Sequence, residues 1–246
     1  MTIRLHEGLY IVGGGGIGLS NFKDCNVYLM RSGEDAFLVD AGGGLDVPGL
    51  LDNIRSVCPL SSIRYLFLTH AHGDHAGGAK ELLSHLPNAK LVASEGEKAL
   101  CESGDEEKLG LIAAKRKGAY PADYVFHPVK VDIVARDEDV FTVGDLSVTS
   151  ILVPGHSIES VCYLTSTPSG RRILFAGDSV YLGGALSLIN CYGSSMEAYR
   201  QYFPRLADRG VDALLPAHYE FTLSNGQSHI DKALANLRSS SLPPMK

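Results

Sequence analysis

The stretch His70-x-His72-x-Asp74-His75 constrains this chain more than any other. It follows directly on Ile63-Arg64-Tyr65-Leu66-Phe67-Leu68, an apolar run that reads as a buried strand. Three imidazoles and a carboxylate are an unusual concentration in a chain with nine histidines among 246 residues. The spacing suits a strand end. Residues two apart share a side on extended backbone, whereas a helix face needs them three or four apart. Gly73, Gly77 and Gly78 are expected to let the loop bend around a metal ion. Zinc favours imidazole nitrogen and carboxylate oxygen, about four ligands to an ion, so a pair of ions needs more donors than this loop holds.

Three later positions qualify as those donors. Pro154-Gly155-His156 follows an expected strand at Leu146–Leu152, Ala176-Gly177-Asp178 one at Arg172–Phe175, and Pro216-Ala217-His218 one at Ala213–Leu215. Each combines an apolar strand, a bend and one candidate ligand. Strand ends along one sheet edge converge in space, so the three gain weight together.

The remaining chain reads as alternating strands and helices. Leu9–Val12, Asn26–Met30 and Ala36–Val39 are expected strands, the last two joined as a hairpin at Gly33. A helix with Asp46 as cap, Pro48 in its first turn and Leu50, Leu51 and Ile54 on one face should follow. Beyond the histidine loop come a helix at Ala79–Leu86 and a strand at Lys90–Ala93. Ser94 and Glu97 are spaced as a capping box for another helix. Residues 103–128, interrupted by Pro121 and Pro128, read as an inserted helical excursion and a candidate lid. The second half gives strands at Val129–Val134, Asp139–Phe141 and Val161–Thr165 besides those above, and helices at Met196–Asp208 and Ser228–Leu237. The fold class is therefore α/β, a single domain over 1–246 with two sheets packed face to face and helices outside.

The motif order resembles the metallo-beta-lactamase superfamily of hydrolases, from the strand ending at Asp40 through the histidine loop to His156, Asp178 and His218. The resemblance implies a four-layer αββα sandwich. It implies that His70, His72 and His156 bind one metal, that Asp74, His75 and His218 bind a second, and that Asp178 bridges them. Asp40 would support the metal loop from behind. Two zinc ions are the expected cofactor, with iron or manganese as other occupants. Pro154-Gly155-His156-Ser157 and Phe175-Ala176-Gly177-Asp178-Ser179 look most like the glyoxalase II-like branch. The implied reaction is attack by a hydroxide shared between the metals on a small ester, thioester or lactone, with Asp74 taking part in proton transfer. Tyr181, just after Asp178, is similar to a tyrosine that contacts the substrate carbonyl in acyl-homoserine lactonases; Tyr192 and Tyr219 are weaker versions of the same idea.

Two other readings share these residues: an acyl-homoserine-lactonase-like lactone hydrolase, and a mononuclear iron oxidoreductase like the persulfide dioxygenases, using part of the ligand set. The chain departs from its resemblance in three ways. Few residues follow His218 to form a glutathione-binding helical region, Ile158-Glu159 stands where many relatives have proline-glycine, and Ala217 replaces a usual glycine.

Other classes are disfavoured. A net charge of −6 without a basic stripe argues against nucleic acid, and a small-molecule substrate is the expected partner. No apolar run of about 18 residues indicates a membrane span. The first residues lack a signal-peptide core, so a cytoplasmic protein is expected. Five scattered cysteines read as reduced thiols. Gly13-x-Gly15-x-x-Gly18 matches a dinucleotide fingerprint but lacks a well-formed helix behind it. Ser160 and Ser179 lack a nucleophile elbow, and His6, His85, His127 and His229 have no ligand-like context.

Overall fold

Two sheets organise the chain, one in each of two units, Met1–Val134 and the part from Ala135 onward. The computed structural model describes residues 1–239, 244 and 245; residues 240–243 and 246, which end the expected single domain, lie outside the described residues.

The first unit holds β1 (Ile3–His6), β2 (Leu9–Gly13), β3 (Val27–Ser32), β4 (Asp35–Val39), β5 (Ile63–Phe67), β6 (Lys90–Ala93) and β7 (Ile133–Val134), neighbours in chain order. β1 to β4 pair antiparallel and β4 to β7 parallel. The connections explain the change. Gly33, at φ 59°, supplies the left-handed turn between β3 and β4. Parallel neighbours need crossovers. These are α1 (Val47–Arg55), then α2 (Gly73–Ala76) with α3 (Ala79–His85), then α4 (Glu95–Ser103) with α5 (Leu111–Arg116). Phe37, Leu38, Leu66 and Phe67 on β4 and β5 are fully buried, the continuous burial that parallel strands show. α1 starts as its residues predict, with the Asp46 carboxylate accepting the Gly49 N–H at 3.1 Å.

Three expectations in this unit change. Ser94 is the N-cap of α4, but its side chain makes no capping bond, and the buried Glu97 carboxylate accepts the Ala71 N–H at 2.8 Å. The expected strand at Val129–Val134 shrinks to β7. The Val129 N–H goes to the Cys101 carbonyl and the Val131 N–H to the Glu102 carboxylate, so these two amides are satisfied outside a strand ladder. Residues 103–128 contain one short helix, α5, among turns.

The second unit holds β8 (Val140–Val143), β9 (Leu146–Leu152), β10 (Val161–Ser166), β11 (Arg172–Gly177) and β12 (Ala213–Pro216), in the sheet order β12-β11-β10-β9-β8. All pairs are antiparallel except β11 with β12, whose connection carries α6 (Met196–Tyr202). Tyr199 of α6, Phe203 just beyond it, and Ile230 and Ala233 of α7 (Gly226–Arg238) form a core with Leu164, Leu174, Ala176 and Leu214 of the sheet. The helix expected over Met196–Asp208 stops at Tyr202. Pro204 has no N–H and crowds the preceding turn, so the chain tightens into a 3-10 turn over Phe203–Leu206.

The glycine run after β2 forms only a 3-10 turn at Gly15–Ile17. Its amides are used internally: Gly14 donates to the Ser20 hydroxyl, Gly15 to the Asp24 carbonyl and Gly18 to the Gly15 carbonyl. They do not form a phosphate cradle. Among the described residues, no helix is long and apolar enough to cross a membrane. All five cysteines are free thiols, four of them buried.

Candidate metal centre

In the first unit, the chain leaves its sheet just after β5. The Leu68 N–H still reaches the Val92 carbonyl at 2.9 Å. Beyond it, His72 lies on extended backbone, and α2, a single turn, carries Asp74 and His75. The motif thus joins an extended segment to a helical turn, where the sequence alone reads as a bending loop. The His70 ring centroid lies 4.5 Å from that of His72 and 3.9 Å from that of His75. Asp74 Oδ2 is 3.6 Å from His75 Nε2. Two donors on one tetrahedral zinc, each about 2.0–2.2 Å from it, lie roughly 3.4 Å apart. The observed spacing suits two ligands of one ion better than a hydrogen bond.

Asp40 organises this half from behind. It is buried, and its Oδ1 accepts the Thr69 N–H at 2.8 Å. Its Oδ2 accepts the Thr69 hydroxyl at 2.9 Å and faces His75 Nδ1 at 3.0 Å. An ionised carboxylate only accepts, so Nδ1 of His75 carries the proton and Nε2 is left as the candidate ligand atom. The Thr69 hydroxyl, its proton directed to Asp40, accepts from His70 Nδ1 at 3.1 Å, which fixes the same tautomer there. Asp40 adopts a left-handed backbone, φ 64°, at a cost of order 1 kcal/mol for a non-glycine residue.

The glycines of this loop serve space rather than left-handed backbone. Gly77 has φ −60°. A Cβ on it would collide with the Tyr124 hydroxyl and the carbonyls of Gly73 and Gly43.

In the second unit, His156, Asp178 and His218 stand just past β9, β11 and β12. The parallel register sets Gly177 beside Pro216, and the Ala217 N–H bonds to the Gly177 carbonyl at 2.9 Å. Asp178 and His218 are therefore neighbours by backbone pairing. Asp178 Oδ2 lies 3.4 Å from His156 Nε2, and its Oδ1 lies 3.7 Å from His218 Nε2. One carboxylate thus turns its two oxygens to two different imidazoles. His156 Nδ1 faces the Ser187 carbonyl at 3.2 Å, so it is the donor and Nε2 is left as the candidate ligand atom.

Tyr199 on α6 went unread in the sequence, where it is one aromatic on a helix. Its hydroxyl lies 3.0 Å from the Ser187 carbonyl and 3.3 Å from the Asp178 carbonyl. It braces the backbone of a candidate ligand and of the group that orients His156. Its ring also fills the space a Cβ on Gly155 would need, and Gly155 sits at φ 152°, so the Pro154-Gly155-His156 bend requires glycine.

Tyr181 is almost fully buried, with its ring centroid 5.5 Å from that of Tyr219. Burial, and then the nearby Asp178 charge, push its phenol well above the usual range. Tyr192 and Tyr219 are exposed. His229 Nδ1 accepts the Gly183 N–H at 2.8 Å, a structural role.

Residues 21–218 match the profile of the metallo-beta-lactamase superfamily, and the chain belongs to that superfamily. Its mixed α/β fold with two sheets agrees: a metallo-beta-lactamase from Cronobacter sakazakii superposes with a TM-score of 0.75, covering 96% of this chain and 91% of that one at 23% identity. The acyl-coenzyme A thioesterase MBLAC2 of Bos taurus is 30% identical over 213 residues, 79% of this chain and 72% of that protein. The atrochrysone carboxyl ACP thioesterase of Aspergillus chevalieri is 26% identical over 206 residues, 83% of this chain and 54% of that protein. This chain spans about half the length of the fungal relatives it matches.

Each half fits divalent metal by its own chemistry. The donors are imidazole and carboxylate, Nδ1 of His70, His75 and His156 is engaged so that Nε2 is presented, and carboxylate oxygens stand at ligand-pair distances from imidazole nitrogens.

Proposed function

We propose that this chain is a zinc-dependent hydrolase of the glyoxalase II-like kind, acting on a small thioester. In this reading His70, His72 and His156 hold one ion, Asp74, His75 and His218 hold a second, and Asp178 bridges them. The observation that carries it is the pose of Asp178, whose two oxygens face His156 and His218 at 3.4 and 3.7 Å. That is what a bridging carboxylate requires. Superfamily membership supports joining the two half-sets into one centre.

When bound, the ions supply Lewis acidity toward a carbonyl oxygen and a nucleophile drawn from water near neutral pH. The chain's own residues do the rest. Asp40, Thr69 and the Ser187 carbonyl hold the imidazoles in the tautomer that presents Nε2. The Asp74 side chain, 28% exposed, is the ligand carboxylate best able to pass a proton to solvent. Tyr181, which follows Asp178 by three residues, donates from its hydroxyl to the substrate carbonyl. A thioester is favoured over a simple ester or lactone because two of the similar proteins are thioesterases by name.

The test is metal titration of stripped protein, followed by assay of acyl-coenzyme A hydrolysis through release of the thiol. Two zinc ions per chain and a chelator-sensitive, zinc-restored activity are expected. One iron per chain with oxygen uptake would replace this reading by the persulfide-dioxygenase-like one. Two zinc ions with turnover of lactones alone would keep the metal centre and overturn the thioester.

A further inference from the structure

The first unit contains a second buried carboxylate on the histidine loop, from a residue whose spacing reads only as a helix cap. Glu97 is fully buried in the first turn of α4, and its Oε2 accepts the Ala71 N–H at 2.8 Å. Ala71 lies between His70 and His72. The strand ladder ends with the Leu68 N–H on Val92, so the next residues find partners elsewhere. The Thr69 N–H goes to Asp40, which follows β4, and the Ala71 N–H goes to Glu97, which follows β6. β4 and β6 are the two neighbours of β5 in the sheet. The segment carrying His70 and His72 is thus held by one carboxylate from each flanking strand's exit.

Burying a carboxylate is expensive unless it is hydrogen-bonded or near compensating charge. A solvent-facing cap at this position would avoid that cost, and the helix leaves the Ser94 side chain out of capping while Glu97 turns inward. Hydrogen bonds from a carboxylate to backbone N–H are charge-assisted and short, and they fix the peptide they hold. The peptide at Ala71 sets the directions of the side chains on either side of it.

We propose that Glu97 is a positioning residue of the metal loop: through the Ala71 N–H it fixes the backbone between His70 and His72 in the form that binds metal. This rests on the metal-centre reading above. Reach is what matters in this role, because the acceptor oxygen must arrive at one particular N–H. Asp40 orients a ring; Glu97 orients a peptide.

The experiment measures zinc affinity of the full chain by competition with a chromophoric chelator, alongside far-UV circular dichroism and melting of the metal-free protein. Glu97→Gln keeps the length and an acceptor oxygen and should bind zinc within about threefold of the parent, whereas Glu97→Ala should lose roughly 10–100-fold, the range for an outer partner of a metal ligand. Glu97→Asp keeps the charge but withdraws the oxygen by one methylene, and should lose at least about fivefold on the same ground; it carries the test if the alanine variant does not fold. Parent-like zinc affinity in Glu97→Ala or Glu97→Asp, or an equal loss in Glu97→Gln, would overturn the role. Failure of the parent to bind zinc would instead defeat the metal-centre reading, so the two failures are told apart.

Discussion

The first unit draws four candidate ligands from one short stretch, His70 to His75, while the second draws three from separate strand ends. The contiguous half has little tertiary geometry of its own. It leaves the sheet, changes from extended to helical within a few residues, and relies on Asp40, Thr69 and Glu97 to hold it. The dispersed half obtains its geometry from strand register and packing. Pairing of β11 with β12 sets Asp178 beside His218, and Tyr199 braces the backbone at Asp178 and Ser187. A contiguous motif is easy to see and needs outside support; a dispersed one is hard to see and is supported by the sheet that makes it.

The largest effects should ignore this contrast. His72→Ala and Asp178→Asn, one from each half, are both expected to strip metal and abolish turnover, exceeding the roughly 100-fold loss of an outer partner. Far-UV circular dichroism should stay near native in both. Retained activity in either variant would remove that half from the centre.

The next effect should separate the halves. Asp40→Asn is expected to weaken zinc binding by about 10–100-fold, because the amide no longer offers two accepting oxygens to Thr69 and His75. Tyr199→Phe removes a hydroxyl between two carbonyls and should cost about 1–2 kcal/mol of folding stability with a smaller change in zinc affinity. Chelator competition and urea unfolding of both variants are the check. Equal losses of affinity would show that the dispersed half depends on side-chain bracing as much as the contiguous one.

The smallest effect concerns the rim of the first half. The Tyr120 hydroxyl is enclosed with no hydrogen-bond partner among the described residues, and a Cβ on Gly73 would sit 3.1 Å from it. Tyr120→Phe should leave the melting temperature unchanged or raise it slightly, because an enclosed, unbonded hydroxyl contributes no stability. A clear fall in melting temperature would show that the hydroxyl has a structural partner and that the contiguous half is braced from residues 103–128 as well.

Much of the architecture was legible because it rests on local patterns. Lys90–Ala93 and Leu146–Leu152 are strands with the bounds their residues predict, and Asp46 caps the helix it was expected to cap. The errors arose where a neighbour in space outweighed a neighbour in sequence. Ser94 and Glu97 have the spacing of a capping box, but the Ser94 side chain makes no capping bond and Glu97 Oε2 accepts the Ala71 N–H of a distant loop. Val129–Val134 has the composition of a strand, but the Cys101 carbonyl and the Glu102 carboxylate take the Val129 and Val131 N–H groups out of the ladder. The loop glycines read as hinges, yet Gly77 is required because other atoms occupy the volume of a side chain.

By itself the sequence determined which residues are candidate ligands and that they fall where strands end, since residue type and hydrophobic period are local properties. It also carried the superfamily, through the order of those motifs. Only the tertiary structure decided which ring nitrogen each of His70, His75 and His156 presents, that Asp178 turns its two oxygens to different imidazoles, and that Tyr199 and Glu97 stand behind candidate ligands. A tautomer is set by the partner of the other nitrogen, and that partner is brought in by folding from a different part of the chain.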